Sequence, residues 1–176
     1  MSPRDAWLWW LGLGSAGALY LFARRHALGS PIEVNGTPTV TPHGDFGADR
    51  RGPPAHTHQG LDLVAPVGSH VLAVGDGVIV ETAPGLGKVV RKLKLDEPAA
   101  WSRAGRRADA IVYADLGAPL VSPGDRVERG DPIALVAAPK NDPKSKAGFV
   151  HFAVKRGEVF FDPSEAGFSY RLSSEV

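Results

Sequence analysis

The sequence predicts an all-β fold, a compact antiparallel β-sandwich or barrel-like domain, preceded by one N-terminal transmembrane helix. Three observations predict it. Glycine and proline are frequent, 21 and 15 of 176 residues, and turn-rich composition of this kind favours many short strands over long helices. From residue 59 onward, short apolar runs bounded by Gly, Pro and Asp follow one another with no helical period between them. Before that, residues 6–23 read AWLWWLGLGSAGALYLFA, without a single charge.

That apolar run comes first in the chain. Its eighteen residues would cover about 27 Å as a helix, enough for a hydrocarbon core. Trp7, Trp9 and Trp10 stand at one end and Tyr20 at the other, where amphipathic rings favour the lipid–water boundary. The apolar run is longer than a signal peptide's usually is, and no convincing small-x-small cleavage site precedes Arg24 and Arg25, so an uncleaved anchor is expected rather than a signal peptide. Arg24, Arg25 and His26 follow the run, and the positive-inside tendency by itself keeps the C-terminal part on the cytoplasmic side. Residues 1–26 are thus read as the anchor. Residues 27–54, rich in Gly, Pro and Thr without a period, read as a linker and surface loop.

The domain is read over 55–165, with a tail over 166–176. Strands are expected at 60–64, 70–74, 77–82, 88–95, 110–115, 132–137 and 149–155. Between residues 88 and 109 lie seven basic side chains against three acidic ones, read as a solvated hairpin tip. Over the whole chain 20 basic residues face 19 acidic ones. A net charge of +1 gives no field for nucleic acid, and no nucleic-acid partner is expected.

Cysteine is absent, which excludes disulfides, thiolate zinc sites, iron–sulfur clusters and a catalytic thiol. Any metal must sit on His and carboxylate. Of the six histidines, His26, His43 and His70 receive no role. His58 and Asp62 stand four apart around Gly60, a pair that is weak evidence alone. His151 lies in a strand on the face opposite Val150 and Phe152, where a histidine is more often a hydrogen-bonded core residue than a ligand. Together these three supply two imidazoles and one carboxylate. Catalytic zinc uses such a set, three protein ligands with a fourth position left for water.

The segment HQGLDLVAPVGSHVLAVGDGVIVET, starting at His58, resembles the N-terminal signature of the lysostaphin/LytM-type zinc metallopeptidases, which cut peptide cross-links in bacterial cell walls. The resemblance continues through IVYADL, SPGDRVERGDPIAL and FVHFAVKRGEVFFDP and covers residues 58 to 163. It implies zinc on His58, Asp62 and His151, a β-sheet groove with the metal on its floor, and peptidoglycan peptide stems or cross-links as partners. It also places the domain on the cell-wall or periplasmic side, opposite to the charge tendency above; the membrane could belong to a cell or a virion.

The chain departs from the family's pattern at two places. The family has a histidine closing a Tyr-Ala-His strand and another two residues before the last ligand. Here Asp115 and Phe149 stand there. Phe149 can neither move a proton nor donate a hydrogen bond, whereas Asp115 could serve as an altered base. His56, two residues before His58, is the nearest replacement, though more simply a loop residue. Two readings stay open: a membrane-anchored endopeptidase with weakened catalysis, or an inactive relative that binds peptidoglycan or a protein in an envelope or virion assembly. A lipoyl- or biotinyl-carrier reading of residues 123–131 fails because no exposed Lys follows at a hairpin tip.

Overall fold

The computed structural model describes residues 28–50, 55–85, 88–95 and 108–173. The apolar run 6–23 lies outside the described residues, as do residues 96–107 of the basic segment 88–109. No helix among the described residues is long and apolar enough to cross a membrane.

The chain forms fourteen strands among the described residues: β1 (Thr39–Val40), β2 (Asp49–Arg50), β3 (His56–Thr57), β4 (Leu61–Pro66), β5 (His70–Leu72), β6 (Gly77–Gly85), β7 (Lys88–Leu95), β8 (Ala110–Ala114), β9 (Leu116–Pro119), β10 (Arg126–Val127), β11 (Pro132–Val136), β12 (Ala147–Arg156), β13 (Val159–Phe161) and β14 (Arg171–Leu172). One 3₁₀ turn, Pro163–Ala166, follows β13; the Asp162 side chain caps it by accepting from the Ser164 amide. The fold is all-β, as the sequence predicts.

The main sheet runs β10-β6-β7-β8-β12-β4-β1-β14, with β13 also paired to β12. All its pairs are antiparallel except β1 with β14. A second sheet orders β5-β11-β9, and β2 with β3 forms a separate hairpin. Val71, Ile133 and Val136 of the second sheet share one core with Leu61, Leu63, Ile111, Tyr113, Val150, Phe152 and Val154 of the first. Phe152 is the hub: its ring centroid lies 5.0 Å from that of Phe168 and 5.9 Å from that of Tyr113. Such tilted aromatic pairs add modestly to the area they bury.

Each of the seven expected strands is present. They were legible because each is an alternating or continuous apolar run between turn residues. Gly124 and Gly130 sit at φ 94° and 96°, left-handed conformations that side chains rarely adopt. Beside them, Asp125 and Asp131 accept from the Ser122 and Glu128 amides, which closes both turns around β10.

Two stretches that composition sets outside the domain are built into it. Residues 28–50, read as linker and loop, bury Leu28, Ile32 and Val40. Gly29 donates to the Val74 carbonyl at 2.7 Å, and Val40 pairs with Leu63. Residues 166–173, read as tail, bury Ala166 and Phe168 and add β14 beside β1. Their apolar residues are too sparse to show a period, so only the partners they meet reveal their place.

Candidate metal centre

The centre is built by strand alternation on the β4–β12 pair. Leu61, Leu63, Val150 and Phe152 are fully buried in the core. Asp62 and His151, on the opposite face, are directly paired in register. His58 arrives from just before β4. It is held by two main-chain bonds, donating to the Ala48 carbonyl and accepting from the Gly47 amide.

Three donor atoms converge. His58 Nε2 lies 3.0 Å from His151 Nδ1. The same Asp62 oxygen, Oδ1, lies 3.2 Å from His58 Nε2 and 3.1 Å from His151 Nδ1. Among the described residues these three form the group of His and acidic side chains that could hold a metal ion. Four-coordinate zinc with bonds of about 2.0–2.1 Å has donor-to-donor edges of roughly 3.3–3.4 Å, so this triangle is close to the size the ion requires. The outer contacts fit as well. His58 Nδ1 donates to the Asp45 carbonyl at 2.9 Å, which leaves the Nε2 lone pair for a cation.

Gly60 makes the approach of His151 feasible. A Cβ at this position would lie 2.7 Å from His151 Cε1 and 2.7 Å from the Phe152 carbonyl oxygen, closer than real contacts allow. The glycine of the His58–Asp62 motif is therefore needed for packing space beneath the imidazole.

Asp62 is the electrostatic focus. Burial would raise its carboxyl pKa, but in the metal-free protein hydrogen bonds from His151 and His58, the charge of His58 and the Arg50 guanidinium outweigh burial and hold it well below the usual carboxylate range. The carboxylate is thus ionised and ready to bind a cation.

The triad sits in a cleft of about 720 Å³. Val112, Ala114, Ala137, Pro139 and Phe149 give part of its wall an apolar character, while Arg50, His56, Gln59, Asp115, Lys140 and Asn141 bring polar groups. Asp115 follows Ala114, which is in register with His151, and adopts φ 58°. It therefore lines the same cleft as the triad, as does Phe149. His56 also reaches this cleft. His70 instead pairs with Glu33 at 3.0 Å on the exposed surface, His43 is not among the cleft-lining residues, and His26 lies outside the described residues.

Sequence reasoning missed Arg50, which bonds Asp62 Oδ2, and the Asp45 carbonyl. No spacing rule joins an arginine to an aspartate twelve residues on, and a main-chain carbonyl has no signature in side-chain identity.

The profile of peptidase family M23 matches residues 56–163. The chain belongs to peptidase family M23. Solved structures agree on the fold. A zinc-containing peptidase from Vibrio cholerae superposes with a TM-score of 0.58 at 22% identity, over 77% of this chain and 39% of that one. The catalytic domain of the prophage-encoded M23 protein EnpA from Enterococcus faecalis, as a point mutant, gives 0.52 at 21% identity, over 77% and 95%. Lysostaphin gives 0.51 at 22% identity, over 75% and 51%. The chain therefore spans well under half of the Vibrio protein. M23 peptidases are zinc metallopeptidases, and the His-Asp-His group of this M23 chain is a donor set that zinc accepts.

Proposed function

We propose that this M23 protein is a peptidoglycan endopeptidase that holds zinc on His58, Asp62 and His151 and cuts peptide stems or cross-links with weakened catalysis. The convergence of these three donors in an open cleft carries the reading. Zinc at such a site supplies a Lewis acid for the scissile carbonyl and brings the pKa of water towards neutrality. The protein's own groups do the rest. Asp45 fixes the tautomer of His58 through its carbonyl. The cleft receives an extended peptide between its apolar and polar walls. The Asp115 carboxylate accepts the proton of the attacking water.

The weakening follows from two side chains. General acid–base transfer is typically worth about 10²–10⁴-fold in rate, and an oxyanion donor about 10²–10³-fold. Asp115 can contribute to the first and, while ionised, not to the second; Phe149 contributes to neither. That same Phe149 favours a second reading, an inactive relative that uses the cleft to bind peptidoglycan or a protein of an envelope or virion assembly.

In the first reading residues 6–23 anchor the protein in a membrane, with the domain on the wall side. The charge-free length and the aromatic residues at its ends support this. The test pairs zinc stoichiometry of the full chain with digestion of purified cell wall, the products resolved by mass. Zinc with released peptides supports the endopeptidase; zinc without them selects the binding protein. The double variant Asp115→His, Phe149→His is expected to raise cleavage by at least about 10²-fold. No gain would place the loss elsewhere than at these two positions.

A further inference from the structure

Residues 41–50 form a collar around the triad. The Gly44 carbonyl accepts from the Asp62 amide at 2.9 Å, and the Thr41 amide donates to the Asp62 carbonyl at 2.8 Å. The Asp45 carbonyl takes the outer N–H of His58. The collar then ends in Arg50, whose guanidinium donates to Asp62 Oδ2.

The two oxygens of Asp62 therefore have separate duties. Oδ1 faces both imidazoles at 3.1–3.2 Å, while Oδ2 is taken by Arg50. We propose that Arg50 is the positioning residue of this centre, holding Oδ2 so that Asp62 meets the cation through Oδ1 alone. The proposal rests on the ligand reading above.

The physical reason is rotation of the carboxylate. With both oxygens free, an aspartate can turn about its terminal torsion and offer both to one ion, which raises the coordination number and occupies a position that water or substrate needs. A charge-assisted bond to a guanidinium fixes the carboxylate plane. It also leaves one lone-pair direction, that of Oδ1, for the metal. Outer partners of this kind typically set metal affinity by about 10–100-fold.

Placement supports a specific role over a packing role. The Arg50 side chain is 33% exposed, so its removal opens no core cavity. Arg50 pairs with His56 in the β2–β3 hairpin, and His58 follows two residues later. One hairpin thus positions both a ligand and the guanidinium that orients another ligand.

The test uses the full chain in detergent micelles as wild type, Arg50→Ala and Arg50→Lys. Zinc affinity is measured against a competing chromophoric chelator, and the cobalt-substituted forms are compared by visible absorption. Arg50→Ala is expected to bind zinc about 10–100-fold more weakly. Its cobalt bands should lose intensity as Asp62 turns bidentate and the four-coordinate ion becomes five-coordinate. Arg50→Lys, with one donor for the same oxygen, should recover part of both signals. Unchanged affinity and cobalt bands in Arg50→Ala would overturn the positioning role while leaving the ligands in place. A wild-type chain that binds neither zinc nor cobalt would overturn the ligand reading and this proposal with it. Should Arg50→Ala fail to fold, the Lys variant decides: cobalt bands and affinity fully equal to wild type in that variant would show that only a charge is required, contrary to a directed bond.

Discussion

The two faces of the β4–β12 pair obey different rules although the same residues' backbones build both. On the core face, Leu61, Leu63, Val150 and Phe152 have no exposed surface, and what matters is volume and shape. On the cleft face, Asp62 and His151 are directly paired, and what matters is which atoms carry lone pairs. Because side chains alternate along a strand, the core face fixes the backbone to which the cleft face is attached. Packing supplies the precision that three convergent donors need. The chemistry in turn adds little to the packing.

Substitutions on each face should separate the two roles. Phe152→Ala is expected to cost about 3–5 kcal/mol, read as a shift in the denaturant midpoint, with zinc lost only because the sheet is lost. His151→Ala should abolish zinc binding while the metal-free domain changes by about 1 kcal/mol, the scale of a hydrogen bond. A His151→Ala protein that retains zinc, or a Phe152→Ala protein with unaltered unfolding, would break the comparison.

Gly60→Ala sharpens it, because this position touches both faces at once. The added methyl meets the His151 ring and the Phe152 carbonyl. It should destabilise the domain by about 1–3 kcal/mol and weaken zinc binding together. Metal titration and thermal unfolding of the same sample check both effects.

The last effect comes from the core alone and leaves the metal site untouched. The Tyr113 hydroxyl accepts from the Val74 amide at 3.0 Å, and burial pushes its pKa above the usual tyrosine range. The folded state therefore keeps a proton that the unfolded chain releases near pH ~10. The resulting stability is fully present below that pH and declines above it, by up to about 1.4 kcal/mol per pH unit. Tyr113→Phe should cost about 1–3 kcal/mol at neutral pH by leaving the Val74 amide unpaired. It should also flatten the decline above pH ~10, seen as the difference between the two proteins' denaturation curves. An identical alkaline decline in both would remove Tyr113 as its source.

Much of this was legible in the sequence. Runs such as 132–136 and 147–156 announce strands through their own alternation. The short strands β1, β2, β3 and β14 do not, since two residues acquire strand identity only from a partner, and β1 finds one 132 residues away in Arg171–Leu172. His58 and Asp62 could be paired by spacing and His151 by its face. Their convergence needed coordinates, as β12 could have been placed beside another strand. Arg50 and the Asp45 carbonyl were hidden because they lie in a stretch with no period. Phe149 and Asp115 were visible as departures from a family pattern, and both line the cleft.

The sequence separation of the donors has a consequence for biogenesis. Asp62 and His151 are 89 residues apart, so a ribosome must synthesise most of the domain before the third donor exists. A nascent chain carrying only the first two would hold a cation weakly, if at all. If these three residues hold the metal as proposed, loading follows the synthesis of β12 and its insertion between β4 and β8. Whatever compartment the domain occupies at that moment decides which divalent ion it meets first.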